Sequence, residues 1–202
     1  MDIQRKEYQF KMFKDWTNIF TTDCSVIKMP NRECVYPIFK NGRSSLRQYA
    51  QQNQLEVIRN EQLSNLTDVT VFLRDPQERF VSGVHTVIEF EDVIDVSAFL
   101  KQVEDFNFYN RHFMPQVYWL LHLLKYFKGN VKLLPVEELY NIIPNRDAPV
   151  IDKLTAERKQ QILSIEHEKY IQADQKLMHR YLGKTVELKT IIEEFKYALS
   201  SS

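Results

Sequence analysis

Val35-Tyr-Pro-Ile-Phe-Lys-Asn-Gly-Arg-Ser-Ser-Leu46 is the stretch on which the fold of this chain turns. An apolar run halts at Lys40, turns at Gly42 and reopens behind two hydroxyls, the pattern of a buried strand, a tight turn and a helix N-terminus. Such a turn aims several backbone N–H groups and the positive end of a helix dipole at one point, which makes a cradle for an anion. Lys40 would add a mobile charge at the strand's end, and Ser44 and Ser45 would cap the helix and contribute two hydroxyl donors. The same residues also suit an ordinary strand-turn-helix with a capping serine, so the stretch alone leaves both readings open.

Composition makes any anion site a local affair. Lys+Arg and Asp+Glu both number 27 in 202 residues, so the net charge is zero. No broad basic field then argues for nucleic-acid or membrane binding. A hydrophobic content of 44% with 12% aromatics is that of a globular chain, long enough for a sizeable core and fitting one domain. With only four glycines, Gly42 is expected at a special backbone position. Cys24 and Cys34 flank a potential hairpin, where a cross-strand disulfide is conceivable and a reduced pair is the expectation. Residues Met1 to Lys14 are charged throughout, and no apolar run reaches membrane-spanning length, so the expectation is a soluble, cytoplasmic protein.

Outward from the cradle, the periodicity predicts an amphipathic helix from Tyr8 to Phe20, a hairpin of Ser25 to Met29 with Cys34 to Phe39, and a helix from Ser45 to Gln52. Leu55 to Arg59 reads as a strand with Asn60 and Glu61 at its C-terminal end, and Val69 to Leu73 as a fully buried strand that runs into Arg74-Asp75-Pro76. Pro76 opens a helix carrying Ser82; helices follow at Val96 to Phe106 and Pro115 to Phe127, then a strand at Val131 to Pro135 and a short helix at Glu137 to Ile143. After an exposed loop at Pro144 to Pro149, helical patterning runs from the cap candidate Thr155 to Leu182 with a break near Ser164, and again from Val186 to Leu199. The expected architecture is α/β: about four parallel strands flanked by helices, with ligands at the strand C-termini. Within one domain, residues 1–24 form an N-terminal helix, 25–143 a nucleotide-binding core and 150–199 a helical C-terminal part.

With two strands ending in cations, the chain resembles the sulfotransferases that use 3′-phosphoadenosine 5′-phosphosulfate (PAPS) as sulfuryl donor, closest in motif style to the carbohydrate branch, with the expectation that it is without that branch's membrane anchor. Pro37 to Leu46 is similar to the family's 5′-phosphosulfate loop, a strand running into Lys, a small turn and two Ser/Thr residues. Val71-Phe-Leu-Arg-Asp-Pro-Gln-Glu-Arg-Phe-Val-Ser-Gly83 is similar to its 3′-phosphate motif. Weaker echoes lie in Asn110 to Gln116, Leu133 to Leu139 and Tyr170 to Asp174. The resemblance departs at Arg43, where the family usually has a small residue or threonine.

What the resemblance implies is a P-loop-like sulfotransferase fold and transfer of a sulfuryl group from PAPS to a hydroxyl on a glycan or small molecule, without metal. Lys40 would act on the 5′-phosphosulfate and the leaving phosphate, with Asn41, Gly42, Arg43, Ser44 and Ser45 around it; Arg74 and Ser82 would hold the 3′-phosphate. Arg79 is read as a brace for the loop. The acceptor hydroxyl must lose a proton, and the candidate bases are Glu61 first, His112 second, then His85. Two other readings stand beside this one: a nucleotide-binding module without catalysis, and a nucleotide kinase. The kinase lacks a Walker loop, because Lys40 precedes Gly42 instead of following the glycines.

Overall fold

The computed structural model describes residues 24–90, 93–105, 110–143 and 154–200, with side chains through Phe195. The helix expected from Tyr8 to Phe20 and the loop expected at Pro144 to Pro149 lie outside the described residues.

β1 (Ser25–Lys28) turns back into β2 (Cys34–Tyr36), pairing antiparallel, with Arg32 in the left-handed region at φ 70 to close the turn. α1 (Arg43–Gln52) follows, and β3 (Val57–Arg59) then adds antiparallel to β1. A 3-10 helix (Asn60–Asn65) leads to β4 (Asp68–Leu73), parallel to β2. Three helices, α2 (Pro76–Phe90), α3 (Val96–Glu104) and α4 (Gln116–Leu124), precede β5 (Asn130–Pro135), parallel to β4. The chain closes with α5 (Val136–Ile142), α6 (Ala156–Leu163), α7 (Glu168–Tyr181), β6 (Thr185–Glu187) and α8 (Leu188–Ser200).

The sheet therefore has six strands in the order β3-β1-β2-β4-β5-β6 and is mixed, which corrects the expected four-stranded parallel sheet. The parallel pairs are β2–β4 and β4–β5; β3, antiparallel to β1, shares their direction, and β1 and the edge strand β6 run against them. β6 escaped notice because its three residues sit between two strong helical patterns. Gly183, at φ 79, reverses the chain so that Val186 pairs with Val131, and the C-terminal part is not purely helical.

Alternation along the strands builds a core on each face. Val35 and Phe72 pack with Leu46 of α1 and Val136 and Leu139 of α5. Tyr36, Val71 and Leu73 belong to the opposite cluster, with Trp119, Leu120, Leu177 and Ile191 from α4, α7 and α8. A third cluster joins α2 to α3, α6 and α7 through Phe80, Val84, Leu100, Phe113, Ile162 and Tyr170. The pairing of Cys34 with Lys28 leaves Cys24 four residues away along β1, roughly 13 Å, so no disulfide joins them and both thiols are free. No described helix is long and apolar enough to cross a membrane.

Candidate functional site

The parallel register of β2 and β4, with Tyr36 opposite Val71, brings their C-terminal ends side by side. Beyond Tyr36 the chain makes a tight loop in which Lys40 takes a φ of 66 and Gly42 a φ of 77. Gly42 is the N-cap of α1, and the first helical bond runs from Leu46 N–H to its carbonyl at 2.9 Å. Here the expectation for the serines is corrected: Ser44 and Ser45 lie inside the first turn, and neither side chain caps the helix. A left-handed glycine does that job by conformation, and any Cβ on it would lie 2.7 Å from Leu139 Cδ2. The first-turn N–H groups of α1 have no helical acceptors, which leaves them open to an anion, and Ser44 in that turn lines a cavity.

A buried polar lattice locks this loop to the end of β4. Asn41, 3% exposed, donates through Nδ2 to the Phe72 carbonyl at 2.7 Å and to Gln116 Oε1. Gln116 Oε1 also accepts the Arg74 N–H at 2.9 Å, and its Nε2 donates to the Arg74 carbonyl at 2.9 Å. Asp174 accepts the N–H groups of Gln116 at 2.7 Å and Val117 at 3.0 Å, capping α4 from across the core, since Pro115 at the N-cap position offers no side-chain bond. Arg79 donates to the carbonyls of Phe39, at 3.2 Å, and Met114, and is the brace the sequence suggested. Burial pushes the Asp174 carboxyl up to about 6, with Arg79 and the two N–H groups opposing the rise. Asn41 was expected to face a ligand; its side chain faces inward instead and holds the loop in shape.

Two cavities meet at this end of the sheet. The larger, about 1080 Å³, is lined by Lys40, Arg43, Ser44, Thr86, Arg111 and His112 among others. The smaller, about 340 Å³, holds Arg74, Ser82, His85 and again Thr86. Of the residues expected at the 5′ end of the donor, Lys40, Arg43 and Ser44 line one cavity and Asn41, Gly42 and Ser45 do not; Arg74 and Ser82, expected at the 3′ end, line the other, and Thr86 borders both. Arg74 also reaches Glu78 Oε2 at 3.4 Å and the Lys40 carbonyl at 3.5 Å. The Glu78 pair is solvent-facing, of the kind worth under about 1 kcal/mol, so it competes weakly with a phosphate.

The larger cavity is strongly cationic. Burial, then the charges of Arg74 and Arg79, lower Lys40 to about 8. Burial and the cations Lys40, Arg111, Arg79 and Arg43 lower His112 to about 4, so its imidazole is neutral at pH 7. His112 stands edge-on to Phe39 at 5.3 Å, and its buried Nδ1 has no hydrogen-bond partner. Its position is fixed by Gly83: a side chain there would overlap the His112 carbonyl, so α2 and the 110–113 segment touch backbone to backbone. Burial and the neighbouring Arg47 lower Arg43, whose guanidinium lies 3.7 Å above the Phe39 ring.

Glu61 does not join this group. It lies exposed in the 3-10 helix after β3, its carbonyl accepting the Ser64 hydroxyl at 2.6 Å, and it is not among the residues lining either cavity. His85 is buried on α2 with Nδ1 3.8 Å from Glu89. Sequence reasoning passed over Gln116 and Asp174 as individual residues. Asp174 had a signal, an acid on the apolar stripe of Tyr170, Ile171, Leu177 and Tyr181, where a charge persists only with a buried partner. Thr86 and Phe39 had none, because apolar or neutral residues next to a turn look like core. Comparisons with protein-family models, with curated proteins and with solved structures return no match to this chain.

Proposed function

We propose that this protein is a sulfotransferase that moves a sulfuryl group from PAPS to a hydroxyl, on a glycan or a small molecule. The observation that carries the reading is the pair of anion clamps, Lys40 with the α1 N-terminus and Arg74 with Ser82, at the ends of two adjacent parallel strands and lining cavities that meet at Thr86. PAPS carries anionic groups at two ends of one adenosine, and few other nucleotides need two clamps so arranged. The finer fold assignment, a P-loop-like sulfotransferase core, belongs to the same proposal.

In the proposed reaction the acceptor oxygen attacks sulfur in line while the bond from sulfur to the 5′-phosphate oxygen breaks. His112 takes the acceptor's proton. The geometry favours it over Glu61, because it lines the cavity with Lys40 while Glu61 lines neither cavity. Lys40 meets the charge that grows on the leaving phosphate, with the α1 N–H groups and the serine hydroxyls beside it. Binding of the doubly charged phosphosulfate offsets the cations around His112 and makes the imidazole a stronger base when it is needed.

The test is a stability panel followed by turnover. The product nucleotide, 3′-phosphoadenosine 5′-phosphate (PAP), should raise the melting temperature well above any effect of ADP, with about 2.7 kcal/mol of stabilisation at a hundred times its dissociation constant. Labelled PAPS should then transfer sulfur to members of an acceptor panel. Stabilisation by ATP with Mg²⁺ and none by PAP would favour a kinase, and PAP binding with no transfer to any acceptor would favour a non-catalytic nucleotide-binding module.

A further inference from the structure

Phe39, the residue before Lys40, lines the larger cavity, and its neighbours there are not those of a core aromatic. The Arg43 guanidinium sits 3.7 Å above its ring, that of Arg111 sits 5.0 Å above it, and His112 stands edge-on at 5.3 Å. One ring therefore joins the lysine loop to the two segments that bring a cation from α1 and a cation and an imidazole from beyond α3.

Among the described residues, neither guanidinium pairs with a carboxylate. No residue lining the cavity is Asp or Glu, and Nε and Nη1 of Arg43 are buried without a hydrogen-bond partner. The face of a phenyl ring attracts a cation through its quadrupole and brings no net charge. An acid in the same place would hold the guanidinium groups more firmly, would compete with an anionic donor for them, and would raise His112 instead of leaving it low. The ring is itself fixed from the protein side. The Phe39 carbonyl accepts from Arg79 Nε at 3.2 Å, and the ring lies 4.9 Å from that of Trp119, which is buried in the core.

Resting on the sulfotransferase reading, we infer that Phe39 is a positioning residue for the transfer: its ring, in place of a carboxylate, sets Arg43, Arg111 and the base His112 around the reacting group. The cations that act on His112 come from every side, Lys40 from the loop, Arg43 from α1, Arg79 from α2 and Arg111 from its own segment, and together with burial they lower it to about 4. Two of those four stand on the ring. Without an aromatic face, Arg43 and Arg111 are free to turn toward solvent, and the imidazole's affinity for a proton rises.

The experiment follows the imidazole of His112 by nitrogen NMR between pH 5 and 7 in the full chain without nucleotide, with His112→Asn identifying its signal. In the wild type the ring should stay neutral across this range. Phe39→Leu fills much of the same space without an aromatic face, and its His112 should titrate with a midpoint above about 5, toward the ordinary value of about 6.5. Phe39→Tyr keeps the face and should behave as the wild type. Calorimetry with PAP checks that the site persists: affinity in both variants should stay within about threefold of the wild type, because Lys40, Ser44, Arg74 and Ser82 do not depend on the ring. Phe39→Met serves as a second variant without an aromatic face and should match leucine. An imidazole that stays neutral to pH 5 in both the leucine and methionine variants overturns the inference, and so does a tyrosine variant that titrates like leucine, since packing alone would then be at work. Failure of the wild type to bind PAP overturns the sulfotransferase reading and takes the catalytic role of Phe39 with it, an outcome seen apart from the titration, which needs no nucleotide.

Discussion

The side chain of Gln116 grips Arg74 by both backbone groups, accepting its N–H at 2.9 Å and donating to its carbonyl at 2.9 Å, as a neighbouring strand would. The same Oε1 accepts from Asn41 in the lysine loop. One buried amide therefore sets the distance between the two anion clamps without reaching either cavity. Asp174 in turn fixes the start of the helix on which Gln116 stands.

Gln116→Leu keeps the volume and removes these bonds. It leaves Asn41 Nδ2 with one partner fewer and both backbone groups of Arg74 without their side-chain partner, so stability should fall by roughly 2 to 4 kcal/mol. PAP affinity should also fall, by about tenfold, although Gln116 lines neither cavity. Urea unfolding with calorimetry checks both, and a variant that loses stability but binds PAP normally would show that the clamps are positioned by other contacts.

Arg74→Ala should weaken PAP far more than adenosine 5′-phosphosulfate, because only PAP has a 3′-phosphate to lose. Contacts of this charge-assisted kind are worth about 1.5 to 3 kcal/mol, or roughly ten- to a hundredfold in affinity. The Glu78 contact at 3.4 Å is the local competitor, so Glu78→Gln should tighten PAP slightly. Equal losses for the two nucleotides on Arg74→Ala would remove Arg74 from the 3′-phosphate.

Most of the element order was legible because strand and helix patterns here carry their own punctuation. The Thr155 cap is one case, its hydroxyl accepting the Arg158 N–H at 3.1 Å as the sequence suggested. The end of α6 at Leu163, one residue before Ser164, is another. The sheet's outer strands were harder. β6 has three residues and no run of β-prone side chains, and it exists because Gly183 turns the chain and β5 offers an edge. At the site, charged residues after apolar runs flagged Lys40 and Arg74, and the structure brings their strands together. The capping role given to the serines failed because a glycine in the left-handed conformation, invisible to a search for capping hydroxyls, occupies the N-cap. Glu61 ranked first from its place at a strand end. β3 does end at the same end of the sheet as β2 and β4, but the chain beyond Arg59 enters a 3-10 helix in which Glu61 is exposed.

His112 should prove the base, and the pH profile carries its signature. Its pKa of about 4 in the free protein reflects burial and surrounding cations, so the neutral, proton-accepting form survives to low pH. The acid limb of kcat/KM, which reports free enzyme, should therefore lie near pH 4, and that of kcat should lie higher because bound phosphosulfate offsets those cations. His112→Asn should cost about 10²- to 10⁴-fold in turnover, and Glu61→Gln little. Full activity in His112→Asn together with loss in Glu61→Gln would return the role to the carboxylate.

Lys40 distinguishes a working transferase from a passive binder. Charge on the leaving phosphate grows as the sulfur–oxygen bond breaks, so a lysine at that oxygen interacts more strongly with the transition state than with bound PAPS. Lys40→Ala should keep the fold, because the half-buried side chain belongs to none of the apolar clusters, and should still bind PAP through Ser44, Ser45, Arg74 and Ser82. Transfer should nevertheless drop at least about a hundredfold. The ionisation of the lysine gives a second readout. Burial, Arg74 and Arg79 lower it to about 8, so in the free protein the charged form is complete below that pH and is lost as the pH rises through it. Donor anions favour the charged form and raise the pKa in the complex, which makes productive binding above pH 8 require proton uptake. The alkaline limb of kcat/KM for PAPS should accordingly fall near pH 8, with the limb of kcat displaced upward. Lys40→Arg, which retains its charge across this range, should lose the limb near pH 8 even where its rate is reduced. A wild-type profile flat to pH 10, or a Lys40→Ala protein whose PAP affinity collapses while its rate at saturating donor is unchanged, would reduce Lys40 to a residue that does not act on the leaving group.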